Sequence, residues 1–117
     1  MRRAAPILDA LAVLIFVVIG RHSHHHGESG RGIASTAWPF LAALAIGWLL
    51  IAVRRIDGVS IAAGVVASLA TVALGMVLRV IGGQGTAVAF IVVALVFNGA
   101  TMLGWRAVAA RRLVRPR

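Results

Sequence analysis

The stretch VSIAAGVVASLATVALGMVLRVI, residues 59–81, decides the fold. It is apolar throughout except for Ser60, Ser68, Thr71 and Arg79. An outer-membrane strand needs only about 9–11 residues, so an uninterrupted run of this length is a helix, and its solvent is lipid. Small residues recur along it at three- and four-residue spacing, as Ser60, Gly64, Ser68, Thr71 and Gly75. Such a stripe is where helices approach each other closely in a membrane. Arg79 continues the stripe, so the pattern predicts that it faces protein rather than lipid.

Three more apolar runs lie around this one. Residues 4–20 form the shortest, near the minimum of about 17 residues for a span. Arg2 and Arg3 precede it, as in a signal peptide, but no small-x-small site follows in Val18-Ile19-Gly20-Arg21-His22, and Asp9 interrupts it. It reads as a retained helix. Residues 33–53 hold Trp38-Pro39, with the proline near the start of the run, where its missing N–H costs least. Residues 86–108 form the last run. The connections are a polar loop at residues 21–32, a tight turn at residues 54–58 and the glycine turn Gly82-Gly83-Gln84-Gly85. The expectation is an all-α membrane protein, one transmembrane domain over residues 1–117. Its four spans form a bundle, and residues 109–117 are a basic tail.

Composition agrees. Of 117 residues, 61% are hydrophobic and 13% charged, against about half and a quarter in soluble domains. Mean hydropathy is +0.98. The net charge of +9 comes from arginines clustered at the ends of apolar runs, which is a topology signal and not a nucleic-acid face. Cysteine is absent, which excludes disulfides, thiolate metal sites and cysteine nucleophiles. One side of the membrane receives Arg2, Arg3, Arg54, Arg55, Arg106, Arg111, Arg112, Arg115 and Arg117; the other receives Arg21, Arg31 and Arg79. The positive-inside rule then places both termini in the cytoplasm, in a plasma membrane, with the 21–32 loop and the glycine turn outside.

An internal echo runs through the chain. Gly47-Trp48-Leu-Leu-Ile-Ala-Val-Arg54-Arg55 matches Gly104-Trp105-Arg-Ala-Val-Ala-Ala-Arg111-Arg112 at Gly, Trp, Ala, Arg and Arg. Thr36-Ala37-x-x-Phe40 is echoed by Thr86-Ala87-x-x-Phe90. Two parallel copies of one helical hairpin would give this pattern. So would shared composition, with Trp and Arg as the usual inner interface belt.

Four places bear candidate chemistry. Arg79, followed by Gly83, Gln84, Gly85 and Thr86, is a candidate site for a phosphate, a carboxylate or a lipid head group. Glycines admit a close approach, Thr86 stands where it could cap the last helix, and helix-start N–H groups favour an anion. The plainer reading is an arginine that snorkels to the interface. Asp9 offers either an ion pair with Arg54, Arg55 or Arg106 that pins two hairpins, or a proton-carrying carboxylate. Asn98, with Ala94 and Thr101, marks an interhelical face where its amide would act as glue. His22, His24, His25 and His26 suit zinc or copper chemically, although a flexible loop enforces no geometry, and no cofactor is predicted. No His, Glu or Asp stands mid-span, and the Walker, Ser-x-x-Lys and His-Glu-x-x-His patterns are missing, so no enzyme is expected.

Gly20-Arg21-x-Ser23-His24, Thr36-Ala37-Trp38-Pro39-Phe40, Gly47-Trp48, Gly75-Met76-x-Leu78-Arg79, Gly83-Gln84-Gly85-Thr86-Ala87-x-Ala89-Phe90 and Gly104-Trp105-Arg106 together resemble one family. It is the actinobacterial and haloarchaeal membrane family called domain of unknown function 3054 (DUF3054). The resemblance spans nearly the whole chain and implies a four-helix membrane fold. It implies no activity and no catalytic residue. The extra histidines after His24 depart from the pattern. Three roles stay open: an oligomeric transporter or flippase for a small anionic solute or head group, an accessory subunit of a larger membrane complex, or an extracytoplasmic metal-binding protein. All work in the lipid bilayer, as a homo-oligomer or with partner subunits, and none engages nucleic acid.

Overall fold

The computed structural model describes residues 2–23 and 30–114. A 3-10 turn at Arg2–Ala4 leads into α1 (Ala5–Ser23), followed by α2 (Gly30–Val53), α3 (Ile61–Ile81) and α4 (Val88–Val114). Among the described residues there is no strand. The helices neighbour one another as α1–α2, α2–α3, α3–α4 and α4–α1, which closes a four-helix ring.

The turns explain where the helices stop. At the end of α2, Arg55 takes a left-handed φ of 56°. Its N–H donates to Ala52 (3.1 Å) and that of Ile56 to Ile51 (2.9 Å), the Schellman pattern. Ser60 then caps α3 by accepting from the Ala63 N–H at 3.1 Å. The end of α3 repeats the device. Gly83 has φ 78°, its N–H donates to Val80 (3.0 Å), and Gln84 N–H donates to Arg79 (2.7 Å). Glycine suits that position because a Cβ is strained at positive φ.

The bundle is filled by side chains rather than by a channel. Phe16 of α1 lies 5.6 Å from the Phe40 ring of α2 and 5.8 and 5.7 Å from Phe90 and Phe97 of α4, so aromatic rings from three of the four helices pack together. The small stripe of α3 is buried at Gly64, Ser68, Thr71 and Gly75, as its spacing predicts. A Cβ at Gly64 would stand 2.9 Å from the Arg106 side chain of α4, and one at Gly75 would stand 2.7 Å from the Phe40 ring of α2.

The outside is apolar. Leu49, Val53, Val77, Val80, Val88 and Val96 are all more than half exposed, while Asp9, Ser68, Thr71, Asn98 and Arg106 are buried. Polar inside and apolar outside is the arrangement of a membrane bundle. Three stretches, Gly32–Val53, Ile61–Ile81 and Val88–Arg112, are long and apolar enough to cross a bilayer. The apolar part of α1, Ala5–Gly20, is shorter, because Arg21 ends it.

Several helix boundaries differ from the sequence reading. α4 runs on to Val114, through the first part of the expected tail. α2 begins at Gly30, which puts Pro39 inside the helix and not near its start. A proline there cannot donate to the carbonyl four residues back, that of Ser35. Gln84 Nε2 donates to this carbonyl from the α3–α4 turn at 3.2 Å.

Candidate functional site

Each end of the bundle gathers one charged centre. At the end formed by the start of α1, the α2–α3 turn and the last turns of α4, Asp9 meets Arg106. Arg106 Nη1 donates to Asp9 Oδ1 at 2.8 Å and Nη2 donates to Oδ2 at 2.7 Å. Both side chains are fully buried. The fork-to-fork geometry is the strong form of the arginine–carboxylate pair. Two indoles complete it: Trp48 Nε1 donates to Oδ2 at 3.1 Å and Trp105 Nε1 to Oδ1 at 3.0 Å. Arg106 also donates to the carbonyls of Gly58 (Nε, 3.0 Å) and Met102 (Nη1, 3.0 Å), and its guanidinium lies 4.3 Å from the Trp105 ring centroid. Burying two charges is costly unless hydrogen bonds engage their remaining atoms, and here they do. Asp9 is therefore a strut joining α1, α2 and α4, with both its oxygens occupied by donors.

The opposite end is built differently. Arg79, in the last turn of α3, donates through Nε to the Gly85 carbonyl at 2.9 Å and through Nη1 to Gln84 Oε1 at 3.0 Å. Its guanidinium lies 4.5 Å from the Phe90 ring centroid and 5.9 Å from that of Phe40. Arg79 thus faces protein, as the stripe predicts. Gln84 ties the turn on both sides, accepting from Arg79 while donating to the carbonyl that Pro39 frees. Among the described residues Arg79 has no carboxylate partner, and its Nη2 makes no hydrogen bond. Gly83, Gln84, Gly85 and Thr86 do gather beside it, on the connection between α3 and α4.

Two expectations need correction, and one is narrowed. Thr86 does not cap α4: the helix begins at Val88, two residues on, with Ile91 N–H donating to Ala87 O at 3.1 Å. Asn98 is not interhelical glue, since its Nδ2 donates to Ala94 O of its own helix at 2.9 Å. Arg54 and Arg55 are exposed, which leaves Arg106 alone of the three candidates as the partner of Asp9.

His24, His25 and His26 lie outside the described residues, and His22 is described only as part of the backbone of α1. Among the described residues no group of three His, Cys, Asp or Glu is placed to hold a metal.

The aromatic members of both centres were missed by sequence reasoning, although their signal was in view. The echoed tryptophans, Trp48 and Trp105, both donate to Asp9. The echoed phenylalanines, Phe40 and Phe90, both lie against Arg79. Residues that match between the two hairpins converge in pairs on a single ion at each end.

A protein family described as "Protein of unknown function (DUF3054)" matches residues 6–109. No curated protein and no solved structure matches the chain.

Proposed function

Since the chain belongs to the DUF3054 family, a family of unknown function, we propose its role from its own chemistry. We read it as a small, non-catalytic, oligomeric transporter or flippase that receives an anionic group at Arg79. The group is the phosphate or carboxylate of a small solute or of a lipid head. One contrast supports this reading. Arg106 is fully neutralised by Asp9, whereas Arg79, in the last turn of α3, has a carbonyl, an amide and two aromatic faces around it and no carboxylate partner among the described residues. An arginine at the end of a span and packed against two rings is costly without a partner, and a counter-anion from outside the chain relieves the cost.

The plugged interior bears on the route. With Phe16, Phe40, Phe90 and Phe97 packed between the two centres, an anion would travel along the seam between copies. The distribution of arginines supports a plasma-membrane orientation with both termini cytoplasmic and Arg79 outward.

The test is reconstitution in liposomes with phosphate, small carboxylates and head-group-labelled lipids offered in turn. Arg79→Ala should reduce uptake or flipping by about tenfold or more, as expected for loss of a contact of about 1.4 kcal/mol, and Arg79→Lys should retain part of it. Unchanged movement of every anion in Arg79→Ala would sink the proposal.

A second reading, an accessory subunit of a larger membrane complex, draws on α4. Its membrane stretch is 17% buried, against 39% in α2 and 44% in α3. Gly99 and Gly104 have open space where a Cβ would be, unlike the packed Gly64 and Gly75. Small residues on an outward face suit packing against another helix. Purification in mild detergent decides between the readings: a stoichiometric foreign partner favours the accessory subunit, and a homo-oligomer alone counts against it.

A further inference from the structure

Asn98 is fully buried in α4, and its Oδ1 has no hydrogen-bond partner among the described residues. The amide cannot satisfy itself by turning over. That rotation would bring Oδ1 against the Ala94 carbonyl, to which Nδ2 now donates at 2.9 Å. A buried carbonyl oxygen left without a donor is uncommon, and an internal water is the usual supplier.

The register of α3 against α4 shows what else surrounds the atom. Gly64 abuts Met102, Leu103 and Arg106 of α4, and the two helices run antiparallel. One and two turns further along the same buried side of α3 come Ser68 and Thr71, which brings them level with Asn98. Both hydroxyls donate backward within α3, Ser68 Oγ to Gly64 O at 2.8 Å and Thr71 Oγ1 to Ala67 O at 2.7 Å. Each hydroxyl oxygen therefore keeps lone pairs that can accept. By this register three acceptors share one level of the seam, and Asn98 Oδ1 among them has no donor among the described residues.

We infer that the middle of the α3–α4 seam is a binding site for one water molecule, which donates to Asn98 Oδ1 and to the hydroxyl of Ser68 or Thr71. Water fits this set better than a cation. Neither α3 nor α4 carries an Asp or Glu, and the buried carboxylate Asp9 is taken up by Arg106. A neutral molecule with two donors serves Asn98 Oδ1 and one of the two hydroxyl oxygens. The site is separate from the Arg79 turn and stands whether or not an anion binds there.

X-ray radiolysis of the detergent-solubilised or bilayer-embedded protein in 18O-labelled water reads the site directly. Met102, fully buried one turn from Asn98, reports hydroxyl radicals born from an internal water that bulk radicals do not reach. Met102 should acquire 18O in the parent protein and lose most of that labelling, severalfold or more, in Asn98→Leu. The shape-matched Thr71→Val and Ser68→Ala carry the same expectation in smaller degree, should Asn98→Leu fail to assemble. Unaltered tryptophan emission from Trp48 and Trp105 certifies that each variant keeps its fold. An unlabelled Met102 in the parent, or labelling that Asn98→Leu leaves intact, overturns the inference. A melting temperature that rises with sodium, and ceases to do so in Asn98→Leu, also overturns it by assigning the pocket to a cation.

Discussion

Asp9 and Arg106 stand 97 positions apart in sequence and close two hydrogen bonds at 2.7 and 2.8 Å inside the bundle. Asp9→Asn keeps the shape and leaves Arg106 buried without its anion, so the variant should lose about 3–5 kcal/mol of stability. Stepwise unfolding by sodium dodecyl sulfate from mild-detergent micelles measures this. Replacing both partners, as Asp9→Leu with Arg106→Met, should recover most of the loss, because no unpaired charge remains. If the double variant is no better than the single one, the pair is not the strut described above. Trp105→Phe removes one donor to a charged group and should cost about 1.5–3 kcal/mol by the same assay. The ion pair was legible in Asp9 and the arginines that flank the same end. The indole donors were not, since a tryptophan near a span end is as well suited to the membrane interface, and only the helix rotation decides which way it turns.

Helix ends and seams were partly readable from residue type. Gly83 at positive φ ends α3 as glycine should, whereas Arg55 ends α2 in the same left-handed conformation without being glycine. That conformation costs a residue with a Cβ about 1–2 kcal/mol, so Arg55→Gly should stabilise the protein by roughly 1 kcal/mol, measured by denaturant titration. Glycines within the helices separate into two kinds. Gly75→Ala sets a Cβ against the Phe40 ring at 2.7 Å and should cost about 1–3 kcal/mol. Gly99→Ala meets nothing within 4 Å, and the better helix propensity should give up to about 1 kcal/mol of stability in the isolated chain. Matching melting shifts for the two substitutions would contradict the packing. Thr86 misled because a cap residue is identified by where the helix starts, and α4 begins at Val88, two residues further on.

For the molecule as a whole, the absence of cysteine makes single engineered thiols clean probes of surroundings and assembly. If α4 is the seam between copies, Gly104→Cys should cross-link into dimers in the bilayer and Gly104→Leu should weaken the oligomer. Exclusive recovery of un-cross-linked monomer would remove α4 as that seam. The sequence by itself determined that the chain is all-helical, that lipid is its solvent and that the small-residue side of α3 faces protein. Those properties follow from run length and helical periodicity, which are local and depend on no partner. Only the tertiary structure decided that Arg106 and not Arg54 or Arg55 answers Asp9, that Gln84 replaces the donor Pro39 lacks, and that Asn98 turns to its own helix. Each of these depends on the rotation and register of one helix against another. Those are set by how glycines and aromatic rings interlock across the seams, which no single segment specifies.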